Sequence, residues 1–498
     1  MPPTAPVADS ELSLASPDGI EVHETHTGIV FLAGARAYKV KKPVLTDFLD
    51  FRAAEARERV CAHEVLLNKR LAPDSYLGVG HFSTPEGGAD EPVIVMRRYP
   101  DDRRLSSMIA RGESVEQHVS AIAAVLARFH AVAGRSAAVD AEARTAVLSE
   151  RWNENLAVLE HYAGPILPSG QLADVARLAR QYLEGRAVLF AERISERRIV
   201  DGHGDLLADD IFCMPEGPVL LDCLEFDDRL RHVDGLDDAA FLAMDLEYLG
   251  RADLSASFID TYRRLAGDSA PASLTHFYSA YRAVVRAKVD CIRVDQGHLE
   301  AAADARRHLA LAADHLRAGT VQLVVVGGGP GTGKTTLARE LATKVGAVVL
   351  STDDIRHELV QAGNITGQAG TFESGIYDPQ NVSTVYETVL RRAALLLASG
   401  QSVILDGTWR DPHQRQRARD IADEHCCPTT ELACALDVGQ AMDRIRRRGS
   451  QSHSQATADV AEMMQHDEPT WAGAHHIDTS RPLDESVAEA AAVCCLAI

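Results

Sequence analysis

The chain has 498 residues, more than one hydrophobic core holds, so two or three domains are expected. Its hydrophobic content of 46% and charged content of 25% are those of an ordinary globular protein. A formal charge of −21 argues against broad binding to nucleic acid or anionic membranes, while leaving room for a local basic patch. Nine cysteines without Cys-x-x-Cys spacing give neither a zinc site nor a disulfide framework, and fit reduced thiols. No apolar run approaches the ~18 residues of a membrane span. Met1–Ser16 lacks a basic segment followed by an apolar core, so no signal peptide is expected and the location expected is the cytoplasm.

Residues 1–20 read as a loose leader. GIVFLAG and ARAYKVKK, within Glu21–Val44, read as strands separated by a turn at Gly34. Phe51–Leu71 reads as a helix, with Ala54, Ala56, Val60, Val65 and Leu66 at helical spacing among charges. Val93–Tyr99 is a further strand. Helical segments rich in Ala, Leu and Arg dominate from Leu105 to Leu189, interrupted at Gly164–Gly170. A β-rich island, Ile199–Glu225, follows, and helices resume to about Arg317. Ala318-Gly319-Thr320 reads as a linker. Beyond it, strands at Val321–Val326, Ala347–Leu350, Ser402–Leu405 and Glu431–Leu436 alternate with helices. That alternation implies a parallel sheet covered on both faces.

The β-rich island carries His203-Gly204-Asp205-Leu206, then Asp210, then LLDCLEF with Asp222. Phosphoryl transfer needs one carboxylate near the acceptor hydroxyl and oxygen ligands for Mg²⁺. Asp205 suits the first task, and Asp210 and Asp222 the second. Pairing of Ile211–Cys213 with Val219–Leu221 across MPEGP would bring the three together.

HGDLLADDI followed by LLDCLEFDD resembles the signature of the aminoglycoside-phosphotransferase family, a protein-kinase-like fold that phosphorylates small-molecule hydroxyls. The resemblance covers residues 21–317, with an N-lobe at 21–100 and a C-lobe at 101–317. It implies that Lys39, in ARAYK, contacts the α/β-phosphates and that Glu64 is its ion-pair partner, with Glu58 the alternate. It also puts an adenine-binding hinge at Met96–Tyr99 and a structural aspartate at Asp238. The sequence departs from the family at Leu207, where a His is usual, and at Asp210, where an Asn is usual. No GxGxxG loop stands between the first strands.

In VVVGGGPGTGKTTLARELA, a β-branched run ends in a glycine-rich turn that opens a helix. Gly328, Gly333, Lys334 and Thr335 fill the fixed positions of the phosphate-binding loop, with Gly331 between them and Thr336 after. The glycines and the helix N-terminus present N–H groups to phosphate, Lys334 reaches the outer phosphates, and the Thr335 hydroxyl suits Mg²⁺. Asp353 and Arg356, in STDDIR, stand at the end of the next strand, where a carboxylate can orient an acceptor hydroxyl and a guanidinium can steady it. Asp406, ending another buried strand, is either a second carboxylate for Mg²⁺ or a turn-initiating Asp before Gly. Arg444 and Arg448, in DRIRRR, share a helix face and suit a lid over the triphosphate, with RGSQSHSQ as its mobile tail.

Residues 320–498 resemble small P-loop kinases: polynucleotide 5′-hydroxyl kinase, zeta toxins and gluconate-type kinases. The expected fold is therefore an α+β two-lobed protein-kinase-like domain followed by an α/β P-loop NTPase domain with a parallel sheet. The expected function is ATP- and Mg²⁺-dependent phosphoryl transfer to small-molecule hydroxyls, with two sites in one chain and no nucleic-acid or membrane partner. Two alternatives stay open. One makes only the C-terminal half catalytic, with the N-terminal half sensing a ligand. The other is an NTP-dependent interaction or toxin–antitoxin-like module.

Overall fold

The computed structural model describes residues 20–24, 28–43, 51–83, 90–367, 375–447 and 471–498. Arg448, the RGSQSHSQ tail and most of the expected leader lie outside these residues. The chain divides into two compact units. One comprises the described residues up to Ala176 with Phe190–Ala270 and Thr275–His315; the other comprises Arg177–Leu189, Pro271–Leu274 and Leu316–Ile498.

The first unit opens with an antiparallel sheet of β1 (Glu21–Glu24), β2 (Gly28–Ala33), β3 (Arg36–Lys41), β4 (Tyr76–Phe82) and β5 (Glu91–Arg97). Their spatial order is β1-β2-β3-β5-β4. Helix α1 (Ala54–Asn68) buries Cys61 and Val65 against Tyr76 and Ile94 of β4 and β5. β4 is absent from the sequence expectation because Gly78 and Gly80 interrupt its apolar pattern. It forms because β5 pairs with it from Tyr76 to Phe82, with a bulge between Tyr76 and Gly78.

The rest of this unit is helical around two small hairpin-like pairs. β6 (Ile199–Asp201) pairs with β9 (His232–Asp234), and β7 (Ile211–Met214) with β8 (Gly217–Leu220). The helix Gly235–Tyr248 is buried along most of its length. Its N-cap, Asp234, accepts from the Leu236 N–H at 2.8 Å. Arg193 grips the same carboxylate through two hydrogen bonds of 2.7 Å and reaches Asp268 through two more, of 2.7 and 2.6 Å. All three side chains are at most 3% exposed.

In the second unit five parallel strands lie in the order β11-β12-β10-β13-β14. They are β10 (Leu323–Gly327), β11 (Val348–Ser351), β12 (Val403–Asp406), β13 (Thr429–Ala435) and β14 (His475–Asp478). Their register brings Val326 and Ser351 level with Asp406, so the phosphate-loop end of β10 and the carboxyl ends of its neighbours share one edge. β14, HHID, was not expected: only Ile477 is buried, so no apolar run marks it. Ala318-Gly319-Thr320 is no open linker. Ala318 ends the helix Ala301–Ala318, and the Thr320 hydroxyl donates to Leu316 O at 2.8 Å, capping a terminal carbonyl.

Arg193→Ala leaves two buried carboxylates without their cation. It is expected to destabilise the first unit by about 3–5 kcal/mol, read as a lower urea midpoint of that unit's unfolding transition.

Candidate active sites

In the first unit the turn after β6 carries Asp205, and one buried carboxylate shapes it. Asp238, fully buried, accepts from the backbone N–H of His203 at 2.7 Å and of Gly204 at 2.8 Å. His130 Nε2 donates to the same group at 2.9 Å, while its Nδ1 lies 2.8 Å from the Tyr262 hydroxyl. Burial opposes the charge on Asp238, but the His130 hydrogen bond and the neighbouring imidazoles outweigh it and hold its carboxyl far below the usual range. Gly204 takes φ +86°, and a Cβ there would stand 3.0 Å from Arg231 and 3.2 Å from Leu224. Burial pushes the His203 imidazole down. Its Nε2 donates to Leu221 O at 2.9 Å, and its Nδ1 accepts from the Asp205 N–H at 3.3 Å.

His203 thereby ties the Asp205 turn to the strand end carrying Asp222. Asp210 joins them through its carbonyl, which accepts from Leu221 N at 3.0 Å. Asp222 sits at φ +62°, a left-handed conformation that Asp tolerates better than most residues. Its N–H donates to the Tyr76 hydroxyl at 3.2 Å, and Cys223 N donates to Asn68 Oδ1 at 2.8 Å.

Lys39 Nζ lies 2.7 Å from Asp222 Oδ1 and 2.9 Å from Glu64 Oε1. Glu58 instead meets His81 at 2.8 Å. Burial works against the Lys39 charge, yet Asp222, Glu64 and Glu225 raise its pKa well above the ordinary value. Burial pushes Asp205 up to about 6, with Asp222 adding to it and Arg286 and Arg282 opposing. Asp210 is raised well above the carboxylate range by burial and by the charges of Asp222, Asp205 and Asp209.

Among the described residues no group of three or more His, Cys, Asp or Glu side chains converges as a metal cage. Mg²⁺ does not need one: it takes one or two carboxylates and completes its octahedron with phosphate oxygens and water. The mutual repulsion of Asp210 and Asp222 is a charge deficit that such a cation fits.

In the second unit the phosphate-binding loop runs from β10 into the helix Lys334–Val345. Gly328, Gly331 and Gly333 all have positive φ, and a Cβ at Gly331 would come within 2.5 Å of Ala441 O. Lys334 Nζ donates to Gly329 O at 3.5 Å. Thr335 Oγ1 donates to Asp406 Oδ2 at 2.8 Å. The other oxygen of Asp406 is buried without a hydrogen bond of ordinary length, although Ser351 stands close enough to favour its charge. A hydroxyl beside a partly orphaned buried carboxylate suits a hard cation.

Burial raises the Asp406 carboxyl and Asp353 adds to it, against Lys334 and Thr335, and Asp353 accepts from Arg356 Nη1 at 2.5 Å. Arg356 is 8% exposed, stacks 4.7 Å from the Tyr377 ring, and keeps its Nε buried without a hydrogen-bond partner. Arg444 donates to Thr479 O at 2.8 Å, beside Gly333. With Gly331, Gly333, Thr336 and Thr479 it lines a cavity of about 350 Å³.

Sequence reasoning missed His130, Lys41, Tyr377 and Thr479, and it gave no role to Glu225 although LLDCLEF contains it. It also missed Tyr76 and Asn68, which hold the Asp222 loop, while fixed spacing or resemblance marked the lysines, the aspartates and the phosphate-loop residues.

The raised Asp205 carboxyl makes a signed prediction for the metal-free protein. The folded state binds this proton up to pH about 6 and the unfolded chain only up to about 3.9, so ionised Asp205 costs stability as pH rises through that window. Asp205→Asn is expected to stabilise the first unit by about 3 kcal/mol at pH 8 and not at pH 3.5, measured by denaturant unfolding at both pH values.

Residues 323–468 match the family model described as AAA domain. Among solved structures, the APS kinase CysC of Mycobacterium tuberculosis, in complex with AMPPNP and APS, is 18% identical with TM-score 0.28, covering 35% of this chain and 97% of its own. A choline/ethanolamine kinase family protein from Mesorhizobium loti is 16% identical with TM-score 0.36, covering 62% of this chain and 96% of its own. Uncharacterized protein Rv2004c of Mycobacterium tuberculosis is 53% identical over 471 residues, 95% of this chain and 94% of that protein. With that identity along nearly its whole length, the chain belongs to the same family as Rv2004c.

Proposed function

We propose that the protein transfers the γ-phosphoryl group of ATP to hydroxyl groups of small molecules, at one site in each half. The observation that carries this reading is a repeated constellation: each unit brings a lysine and a pair of aspartates together from separate strands and turns. Lys39, Asp205 and Asp222 form it in the first unit, with Asp210 beside them. Lys334, Asp353 and Asp406 form it in the second. The domains are assigned as residues 21–317 and 320–498, and the protein as cytoplasmic.

In the first half Lys39, steadied by Glu64, would hold the α/β-phosphates, and Asp210 with Asp222 would hold Mg²⁺. In the second half the backbone N–H groups of the Gly328–Gly333 loop other than Pro330, with Lys334 and Thr336, would cradle the triphosphate, and Thr335 with Asp406 would hold Mg²⁺. The cation, when bound, neutralises charge shared between the phosphates. Asp205 and Asp353 each take the proton of an incoming hydroxyl, an arrangement that works by positioning and charge rather than covalent chemistry. Arg356 steadies the acceptor beside Asp353. Arg444, with Arg448, offsets negative charge developing on the transferred group.

The acceptor of the first half is better matched by a neutral or anionic hydroxyl compound than by a polycation. Arg282 donates to Gly204 O at 3.1 Å and pairs with Asp237, and Arg286 stands one turn further along the helix Ala272–Asp295. Both set positive charge against Asp205, where an anionic group of the acceptor would be steadied.

A second reading, with only the C-terminal half catalytic, draws support from Leu207 and from Lys39, which is already engaged by Asp222. One experiment separates the two. Neutral, anionic and polycationic hydroxyl compounds are offered with ATP and Mg²⁺ to the wild type, Asp205→Ala and Lys334→Ala, and phosphorylated products are read by mass spectrometry. The two-site reading expects one product lost only in Asp205→Ala, arising from a neutral or anionic compound, and another lost only in Lys334→Ala. Should Asp205→Ala keep every product while Lys334→Ala loses all of them, the first half is not a kinase.

A further inference from the structure

Strand geometry places Lys39 and Lys41 on one face of β3, because side chains two apart point the same way. Both ammonium groups meet the same carboxylate. Glu64 is fully buried, with Oε1 2.9 Å from Lys39 and Oε2 2.6 Å from Lys41. Lys41 is itself 1% exposed, and its Nζ lies 2.5 Å from Glu225 Oε1. A continuous row of alternating charge results: Asp222, Lys39, Glu64, Lys41, Glu225. Its two ends belong to one short segment, with Glu225 three residues beyond Asp222, so the row closes from the loop through β3 and α1 and back to the loop.

We infer that Lys41 and Glu225 are positioning residues of the first nucleotide site, freeing Lys39 to exchange Asp222 for phosphate. This rests on the reading of that site as nucleotide-binding.

With Lys39 as its only cation, buried Glu64 would hold Lys39 back from phosphate, since a carboxylate stripped of its partner inside protein is strongly disfavoured. Lys41 supplies the second cation, so Glu64 stays balanced while Lys39 turns to the nucleotide. Glu225 keeps Lys41 from collapsing onto Glu64 alone and ties the Asp222 loop to β3. Burial and Glu64 raise the Glu225 carboxyl, and Lys41 and Lys39 oppose them, as expected for three carboxylates sharing two ammonium groups.

The test uses the full chain carrying Lys334→Ala, which disables the phosphate-binding loop, and calorimetric titration with AMP-PNP and Mg²⁺ below the melting temperature of each variant. Lys39→Met is the reference and is expected to weaken binding about 100-fold. Lys41→Met is expected to weaken it about tenfold or more. In a Glu64→Gln background Lys41→Met is expected to add less than about threefold, because it acts through Glu64. If Lys41→Met does not fold, Glu225→Gln replaces it, with about threefold weakening expected and unchanged affinity overturning the proposal. Lys41→Met with wild-type affinity, beside a weakened Lys39→Met, overturns the proposal alone. Losses fully additive with Glu64→Gln also overturn it. Undiminished binding in Lys39→Met overturns the nucleotide reading of the site, and the proposal with it.

Discussion

The carboxylate of Asp238 holds three donors that would otherwise be buried without partners: two successive backbone N–H groups and the His130 imidazole. Those N–H groups belong to the turn leading into Asp205, and Gly204 adopts the left-handed conformation the turn requires. His203 passes the constraint on to Leu221 O, next to Asp222, so one buried ion orders the two loops that carry Asp205 and Asp222. The rest of the first unit serves this arrangement. Arg193 locks the N-cap of the helix that carries Asp238, and β4 and α1 supply Tyr76 and Asn68 to pin the Asp222 loop. Carboxylates placed this way are costly, and the raised Asp205 and Asp210 groups record that cost. Stored electrostatic strain of this kind is typical where a cation and a polyanion are meant to bind.

The second unit meets the same problem with a parallel sheet. Strand register carries Asp406 level with the end of β10, where Thr335 reaches it from the first turn of the following helix. No buried ion network is needed to fold the loop, because glycine conformations and the helix N-terminus do that work. The two units thus reach similar groupings of lysine and aspartate by different means. Where the first depends on ion pairs between residues far apart in sequence, the second depends on a glycine-rich loop and on the register of parallel strands.

That difference explains what could be read from the sequence. The phosphate-binding loop is legible because its glycines, lysine and threonine sit at fixed spacing, and the apolar strands beside it are unbroken. The β7–β8 pairing is legible because MPEGP separates two apolar runs. β4 and β14 are not: Gly78 and Gly80 interrupt one, and the other is HHID, held by pairing rather than by an apolar face. His130 and Asp238 meet across 108 positions, and Lys41 and Glu225 across 184, with no local pattern to join them. The Ala-Gly-Thr segment looks like a linker, yet it caps a helix because a terminal carbonyl needs a donor.

The central claim is that each half binds its own magnesium–nucleotide, and binding stoichiometry tests it most directly. Calorimetric titration of the intact chain with AMP-PNP and Mg²⁺ should saturate at two nucleotides per chain, falling to one in Lys334→Ala and to one in Lys39→Met. A single nucleotide per chain, abolished by Lys334→Ala and untouched by Lys39→Met, would contradict it.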